Sequence, residues 1–449
     1  MLTRRTLAVS TALATAAFAL SAGLSGAAFA QQKTVIEFWH GLPQPLGGQL
    51  EQVVKGFNDS QDKVQVNPSF KGNYPETMQA AIAAFRAGNA PHVVQMFEVG
   101  TATMLAAGPA VKPVHQLMSE TGTAFDAEGY IPAVRGYYSS KDGKMMALPF
   151  NSSTTITFYN KDAFQKAGLD PNKAPATWPE TIEAVRKLKA AGVACPMTFS
   201  WPTWTQFEQL GAIHNKPFAT QANGFGGLNA ELKINDPFFV KHLQTLMDLQ
   251  KEGLIRYSGR DNAPDPLFPA GECAIIQASS GLRARIVKEA KFAWGAAPLP
   301  YWPDAVDSPK NSIIGGAAFW VMTSPKRTAA EYKAVADFFA YMAKPEVDAK
   351  WHMDTGYVPV TLKGFEAAKQ AGFYEKNPGA DVPAQQLTRT ATTENTMGLR
   401  LGNLPEIRNI IQEEMEKAFQ GQQTAQQALD SAVKRGNTVL RNFERANKG

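Results

Sequence analysis

Cysteine is almost missing from this chain: its 449 residues include two, Cys195 and Cys273. Two thiols so far apart cannot supply a cysteine-based zinc site, and neither stands in a pattern that supports a catalytic nucleophile. A structural disulfide and a pair of buried thiols both stay open, because bridge geometry is invisible in sequence. Histidine is scarce as well. The six residues His40, His92, His115, His214, His242 and His352 form no HExxH pair and no other close ligand spacing. Neither a GxSxG elbow nor a phosphate-cradling P-loop is found. We therefore expect no metal, no cofactor and no catalytic residue.

An excess of charge of one sign is also lacking. The 45 Lys and Arg against 40 Asp and Glu give a formal net charge of +5, too balanced to suggest nucleic acid or an anionic membrane surface as partner. After the N-terminal segment no apolar run approaches the ~20 residues needed to span a bilayer. Internal repeats and low-complexity segments are missing too.

What is present starts at the N-terminus. MLTRR is basic, the following TLAVSTALATAAFALSAGLSG is apolar and free of acids, and AFA before Gln31 fits a small-residue cleavage site. Residues 1–30 thus read as a cleaved signal peptide and the mature protein as exported. Arg4-Arg5 leaves the general and twin-arginine routes both open. No Cys follows the apolar run, so a lipid anchor is not expected. The remaining chain, about 420 residues long, should divide into about two or three domains.

Along it, strands alternate with helices. KTVIEFWH (33–40), KVQVNPSF (63–70) and HVVQMF (92–97) read as strands. Between them, 47–60 and 76–88 have helical apolar spacing, the second closed by Gly88. A further α/β unit opens at 145–160 and the helix 161–168. Helices are expected at 179–192, 236–254 and around 329–343, with a short strand at 273–278 and a largely helical C-terminal third. Such alternation implies a parallel sheet covered on both faces, with ligands gathering at the carboxyl ends of its strands. Glu98 stands at one such end, directly after Val93–Phe97. Composition alone leaves it either as a solvated strand end or as a ligand-holding carboxylate.

NKDAFQKAGLDP…ATW and KPEVDAKWHMDTGYVPVT resemble the maltose-binding-protein-like group of extracellular solute-binding proteins (family 1) that serve ABC importers. KGNY, FEVGTATM, PFNSST and LRLGNLPEIR together are similar to the sn-glycerol-3-phosphate-binding branch of that family. The resemblance runs from residue 38 to 436. It implies an α/β, two-lobed periplasmic-binding-protein (Venus flytrap) fold of type II, each lobe a mixed, mostly parallel sheet flanked by helices. One lobe would comprise 31–148 and 309–358, the other 149–308 and 359–449, with the ligand in the cleft between them. The implied protein is a periplasmic monomer that binds glycerol-3-phosphate or a glycerophosphodiester. It would deliver the ligand to permease subunits driven by a cytoplasmic ATPase, without catalysis or nucleic-acid binding.

A phosphorylated polyol needs donors for its head and acceptors for its hydroxyls. By resemblance, Glu98 would receive the glycerol hydroxyls, while Ser153, Ser279 and Arg408 would hold the phosphate well away from that carboxylate. Tyr74 and Tyr357 would line the cleft, and Gly316 would let backbone approach the ligand closely. Trp178 would form a cleft wall able to hold choline by cation–π contact. Local alternatives exist for most of these: a packing Tyr, an N-capping Ser279, a surface Arg408 paired with Glu406 or Glu413. Trp201 and Trp204 read equally as core or as a stacking platform. Phe97 stands where this branch commonly has Tyr, which removes a hydroxyl. An oligosaccharide binder of the same fold and a secreted glycerophosphodiester hydrolase are the competing readings.

Overall fold

The computed structural model describes residues 33–448, and the signal-peptide reading of residues 1–30 lies outside them. Two mixed sheets organise the chain. The first contains β1 (Thr34–His40), β2 (Val64–Phe70), β3 (Val93–Phe97), β4 (Val111–Lys112), β5 (Leu148–Ser153) and β10 (Gly315–Met322). Its order is β2-β1-β3-β10-β4, with β5 also paired to β10. The second contains β6 (Thr155–Asn160), β7 (Cys195–Phe199), β8 (Cys273–Ser279) and β9 (Trp294–Ala297), in the order β7-β8-β6-β9.

The strand patterns explain the layers. In β1 Ile36, Phe38 and His40 are buried while the residues between them are not, the period-two signature of a half-covered strand. All five residues of β3 are buried, as expected of a central strand covered on both faces. The parallel pairs are β1–β2, β1–β3 and β7–β8. The ladders made by β10, β5, β6 and β9 are antiparallel. Antiparallel pairing is therefore more frequent than the expected "mostly parallel" sheets implied, because β5, β6 and β10 flank passages from one sheet to the other.

Those passages lie close together. Between β5 and β6 the chain changes sheet within one residue, Thr154, whose buried hydroxyl donates to Ser312 Oγ at 2.8 Å. Ser312 belongs to the second passage, between β9 and β10. Val358 N–H donates to Ser152 O at 2.8 Å, which ties the segment leading to the third passage to the first one. Beyond Val358 the chain first stays with helices of the first sheet: Leu362–Gln370 packs on Pro345–Thr355, and Thr361 bridges to Tyr130. It reaches the second sheet where Val382–Leu387 packs on β6. The helices Leu404–Phe419 and Ala425–Asn447 then pack on each other and on Pro237–Lys251.

Cys195 and Cys273 are bonded, with Cα atoms 4.6 Å apart. They are directly paired residues of the parallel strands β7 and β8, which settles the alternative left open by sequence. The link spans 78 residues, so in the chain-entropy account it removes roughly 4 kcal/mol of freedom from the unfolded chain. A Cys195→Ala/Cys273→Ala variant should lose about 2–5 kcal/mol of unfolding free energy in urea titration and keep ligand affinity.

Candidate functional site

The carboxyl ends of β1, β2, β3, β5, β7 and β8 converge on one cavity of about 350 Å3, within the usual size range of small-molecule sites. The segments that line it begin directly after strand ends: Gly41–Leu46, Asn73–Tyr74, Glu98, Trp201 and Gly281–Leu282. This is where α/β sheets place ligands, since chain reversals there expose backbone and side chains together.

Tyr74 is set by local chemistry. Asn73 accepts from Glu76 N–H, and the Glu76 carboxylate accepts from Asn73 N–H at 2.7 Å, a reciprocal cap that starts helix Tyr74–Arg86. Tyr74 is its first residue. Its hydroxyl accepts from Asn151 Nδ2 at 2.7 Å; Asn151 Oδ1 accepts from Gln95 Nε2 at 2.8 Å, and Gln95 Oε1 from Gly41 N–H at 2.9 Å. This buried relay fixes the phenol at the cavity wall. Phe97 stacks on Tyr74 with centroids 5.6 Å apart, so the missing hydroxyl there leaves an apolar ring at the cavity wall.

Glu98 and Arg408 form the floor. Arg408, on helix Leu404–Phe419, donates from Nε and Nη2 to both carboxylate oxygens of Glu208 at 2.7 Å each. Nη2 also donates to Glu98 Oε1 at 2.8 Å. Glu98, Glu208 and Arg408 are 6%, 2% and 7% exposed. Burial pushes the Glu98 carboxyl up to about 7, with Arg408 opposing and Glu208 adding to the rise. For Arg408, burial favours the neutral form, but Glu208 and Glu98 outweigh it and hold the guanidinium charged.

Seven of the eight residues singled out in the sequence line this cavity: Tyr74, Glu98, Ser153, Ser279, Gly316, Tyr357 and Arg408. Ser279 also caps the turn Ser280–Leu282, accepting from Gly281 N–H at 3.2 Å, so the local capping role is real. Gly316 has φ +91°, and a Cβ there would meet Asn151 O at 1.7 Å; no other residue fits.

Trp178 is a correction. It too starts a capped helix, Trp178–Ala190, but its indole turns into the core, 2% exposed, stacked on Trp302 at 5.9 Å and edge-on to His242 at 4.8 Å. Trp201 and Trp204 line the cavity instead. A second correction concerns charge. Arg408 and Glu98 were expected at opposite ends of the ligand, yet they are hydrogen-bonded to each other. Nor does Arg408 pair with Glu406 or Glu413; Glu413 binds Arg435. Glu208 was missed, although it carried a signal as the one charged residue between Lys189 and Lys216. Arg285 and Asp265, also at the cavity wall, had no such mark.

A family model described as bacterial extracellular solute-binding protein matches residues 52–381. This chain belongs to that family. The solute-binding protein is 46% identical over 447 residues to the sn-glycerol-3-phosphate-binding periplasmic protein UgpB of Pectobacterium atrosepticum, covering 99% of both chains. It is 46% identical over 426 residues to the protein of that name from Yersinia pseudotuberculosis, covering 95% of this chain and 96% of the other. Its fold matches UgpB from Mycobacterium tuberculosis in complex with glycerophosphocholine, with TM-score 0.76, 23% identity, and 92% and 99% of the two chains covered. It also matches the GacH receptor of Streptomyces glaucescens, with TM-score 0.75, 17% identity, and coverage of 92% and 100%. Like its curated relatives, it is a periplasmic protein.

Two outcomes follow for the solute-binding protein without ligand. Arg408→Ala leaves two buried carboxylates uncompensated and should cost about 3–5 kcal/mol in urea unfolding. Adding Glu208→Gln should restore part of that loss, a coupling that a double-mutant cycle reads directly. The second outcome concerns pH. Glu98 binds its proton more tightly folded than unfolded, so its stabilising contribution is complete below the ordinary carboxylate value of 4.5 and lost as pH rises through about 7. Glu98→Gln should therefore flatten the stability profile between those limits. An unchanged slope would contradict the assignment.

Proposed function

We propose that this protein captures sn-glycerol-3-phosphate and glycerophosphodiesters in the periplasm and delivers them to the permease of an ABC importer, without catalysing a reaction. The observation that carries the reading is the polar lining of the cavity. A carboxylate oriented by Arg408 offers acceptors for vicinal hydroxyls, while the Ser153 and Ser279 hydroxyls face the same space as donors. The near-full-length similarity to proteins named for this ligand supports it.

Binding would work through closure. Glu98 follows β3 of the first sheet, whereas Arg408 and Ser279 belong to elements packed with the second. A ligand touching both sides stabilises the closed form over the open one by its differential contacts. The permease would then read closure as a signal of loading.

One observation favours a second reading. Five aromatic side chains line the cavity, Tyr74, Phe97, Trp201, Trp204 and Tyr357, and stacked rings suit a sugar face. Calorimetry of the mature protein separates the two. Glycerol-3-phosphate should give saturable heat, and maltose none. Binding of maltose with no response to glycerol-3-phosphate would replace the glycerophosphate reading by the oligosaccharide one.

A further inference from the structure

Trp204, which lines the cavity, and Glu208, which holds Arg408, share one unusual turn. The chain leaves β7 at Phe199, bends at Ser200 and Trp201, and forms a helix over residues 202–213. Its stretch Trp204–Glu208 is wound as a π turn, in which Gln209 N–H reaches back five residues to Trp204 O. Such a turn takes up one residue more than α-helical winding does, and it persists only where the surroundings impose it. The Trp204 indole lies against the bare backbone of Gly315 in β10, where a Cβ would approach it to 2.3 Å. Gln206, midway along the turn, faces the other way and is 1% exposed.

The core side of that turn is clamped by a chain of buried hydrogen bonds. Trp302 Nε1–H can only donate, and it donates to His242 Nδ1 at 3.2 Å. His242 Nε2–H then donates to Gln206 Oε1 at 3.0 Å, and Gln206 Nε2 to Gln277 Oε1 at 2.7 Å. The indole thus sets the direction of every bond after it. Burial pushes the His242 imidazole down to about 3, so it stays the neutral ring, one N–H and one acceptor, that this chain needs. Gln277 grips the segment a second time. Its main-chain carbonyl accepts from Ser200 N–H at 3.0 Å, and the Thr205 hydroxyl donates to Ser200 O at 2.7 Å. His242, Gln206 and Gln277 are at most 1% exposed, and all three lie outside the cavity lining.

Building on the proposed glycerophosphate function, we propose that Gln206 and Gln277 are positioning residues for ligand binding: together they hold the π turn from its core side and so fix where the Trp204 indole meets the ligand. A ring seated on Gly315 has no slack, because the backbone of the first sheet lies directly against it. Without the amide clamp the turn relaxes towards α-helical winding and carries the indole off that seat. Glu208 is secured separately by its two bonds from Arg408, so the loss falls on Trp204.

Calorimetry of the mature protein with sn-glycerol-3-phosphate tests this through a double-mutant cycle. Gln206→Met keeps nearly the same volume and removes both amide bonds, and it should weaken binding about tenfold. Trp204→Phe should weaken binding as well, and adding Gln206→Met to it should cost less than about twofold more. Gln277→Met keeps the Ser200 bond and repeats the cycle with less disturbance of the turn itself. A merely structural role gives a different pattern, lower unfolding free energy with unchanged affinity, as expected of Cys195→Ala/Cys273→Ala. Unchanged affinity in both Met variants therefore overturns the proposal. So does a tenfold loss that persists undiminished in the Trp204→Phe background. Absence of heat from the unaltered protein overturns the glycerophosphate reading itself, a result distinct from binding that ignores Gln206 and Gln277.

Discussion

A guanidinium buried between two carboxylates is stable only if all three groups stay in place. Arg408 is fixed bidentately by Glu208 from its own side of the cleft and then reaches Glu98 on the other. Removing water from three charges is expensive, and their mutual attraction offsets it only in this close geometry. The arrangement therefore imposes a position on the cleft floor: Glu98 keeps one oxygen committed to Arg408 and presents the remaining lone pairs to a ligand. The rest of the cavity is arranged around that orientation. Tyr137 reinforces it, its hydroxyl reaching both Glu98 O at 3.0 Å and Leu399 O at 2.6 Å, which links the β3 end to the chain just before the Arg408 helix.

Closure around such a floor requires flexible connections that remain ordered. The first two passages and the segment leading to the third meet through Thr154, Ser312, Ser152 and Val358. Gln209 strengthens the same region, donating to Ile313 O at 2.9 Å and accepting from Ile313 N–H at 3.1 Å. Hydrogen bonds between these segments keep their buried backbone groups paired, while rotation of one sheet against the other needs only small dihedral changes there. Tyr357 sits just before this junction, and a Cβ at Gly281 would lie 3.0 Å from its ring. The glycine thus permits a close approach of Tyr357, on the first sheet's side, to the end of β8.

The sequence carried the outline well where periodicity is local. Strands β1, β2 and β3 and the helices between them fall within a few residues of their apolar patterns. Edge strands were harder. β7 contains Pro196 and β9 reads WGAA, and neither looks like a strand by composition; both sit at sheet edges, where a missing donor or a small side chain is tolerated. Tyr74 and Trp178 show the sharper limit. Each is the first residue of a helix with the same reciprocal cap, yet one faces the cavity and the other the core. That choice is made by Trp302 and His242, more than sixty residues away from Trp178 in the chain. Local signals fix a backbone, and tertiary packing decides what a side chain touches.

Charge pairing has the same character. From sequence, Glu98 and Arg408 were two independent tools for two ends of a ligand, because a carboxylate repels phosphate and a guanidinium attracts it. The fold supplies the partner, Glu208, and with it a different division of labour. Once Arg408 is committed to carboxylates, its role shifts from binding phosphate to orienting Glu98 and opposing, in part, the rise in proton affinity that burial imposes on it. On the proposed glycerophosphate reading, the phosphate is left to groups that are polar but not already spent: the Ser153 and Ser279 hydroxyls and the backbone opened by Gly316. Selectivity in such a site arises less from how many charged residues surround the ligand than from which of them the protein has left unpaired.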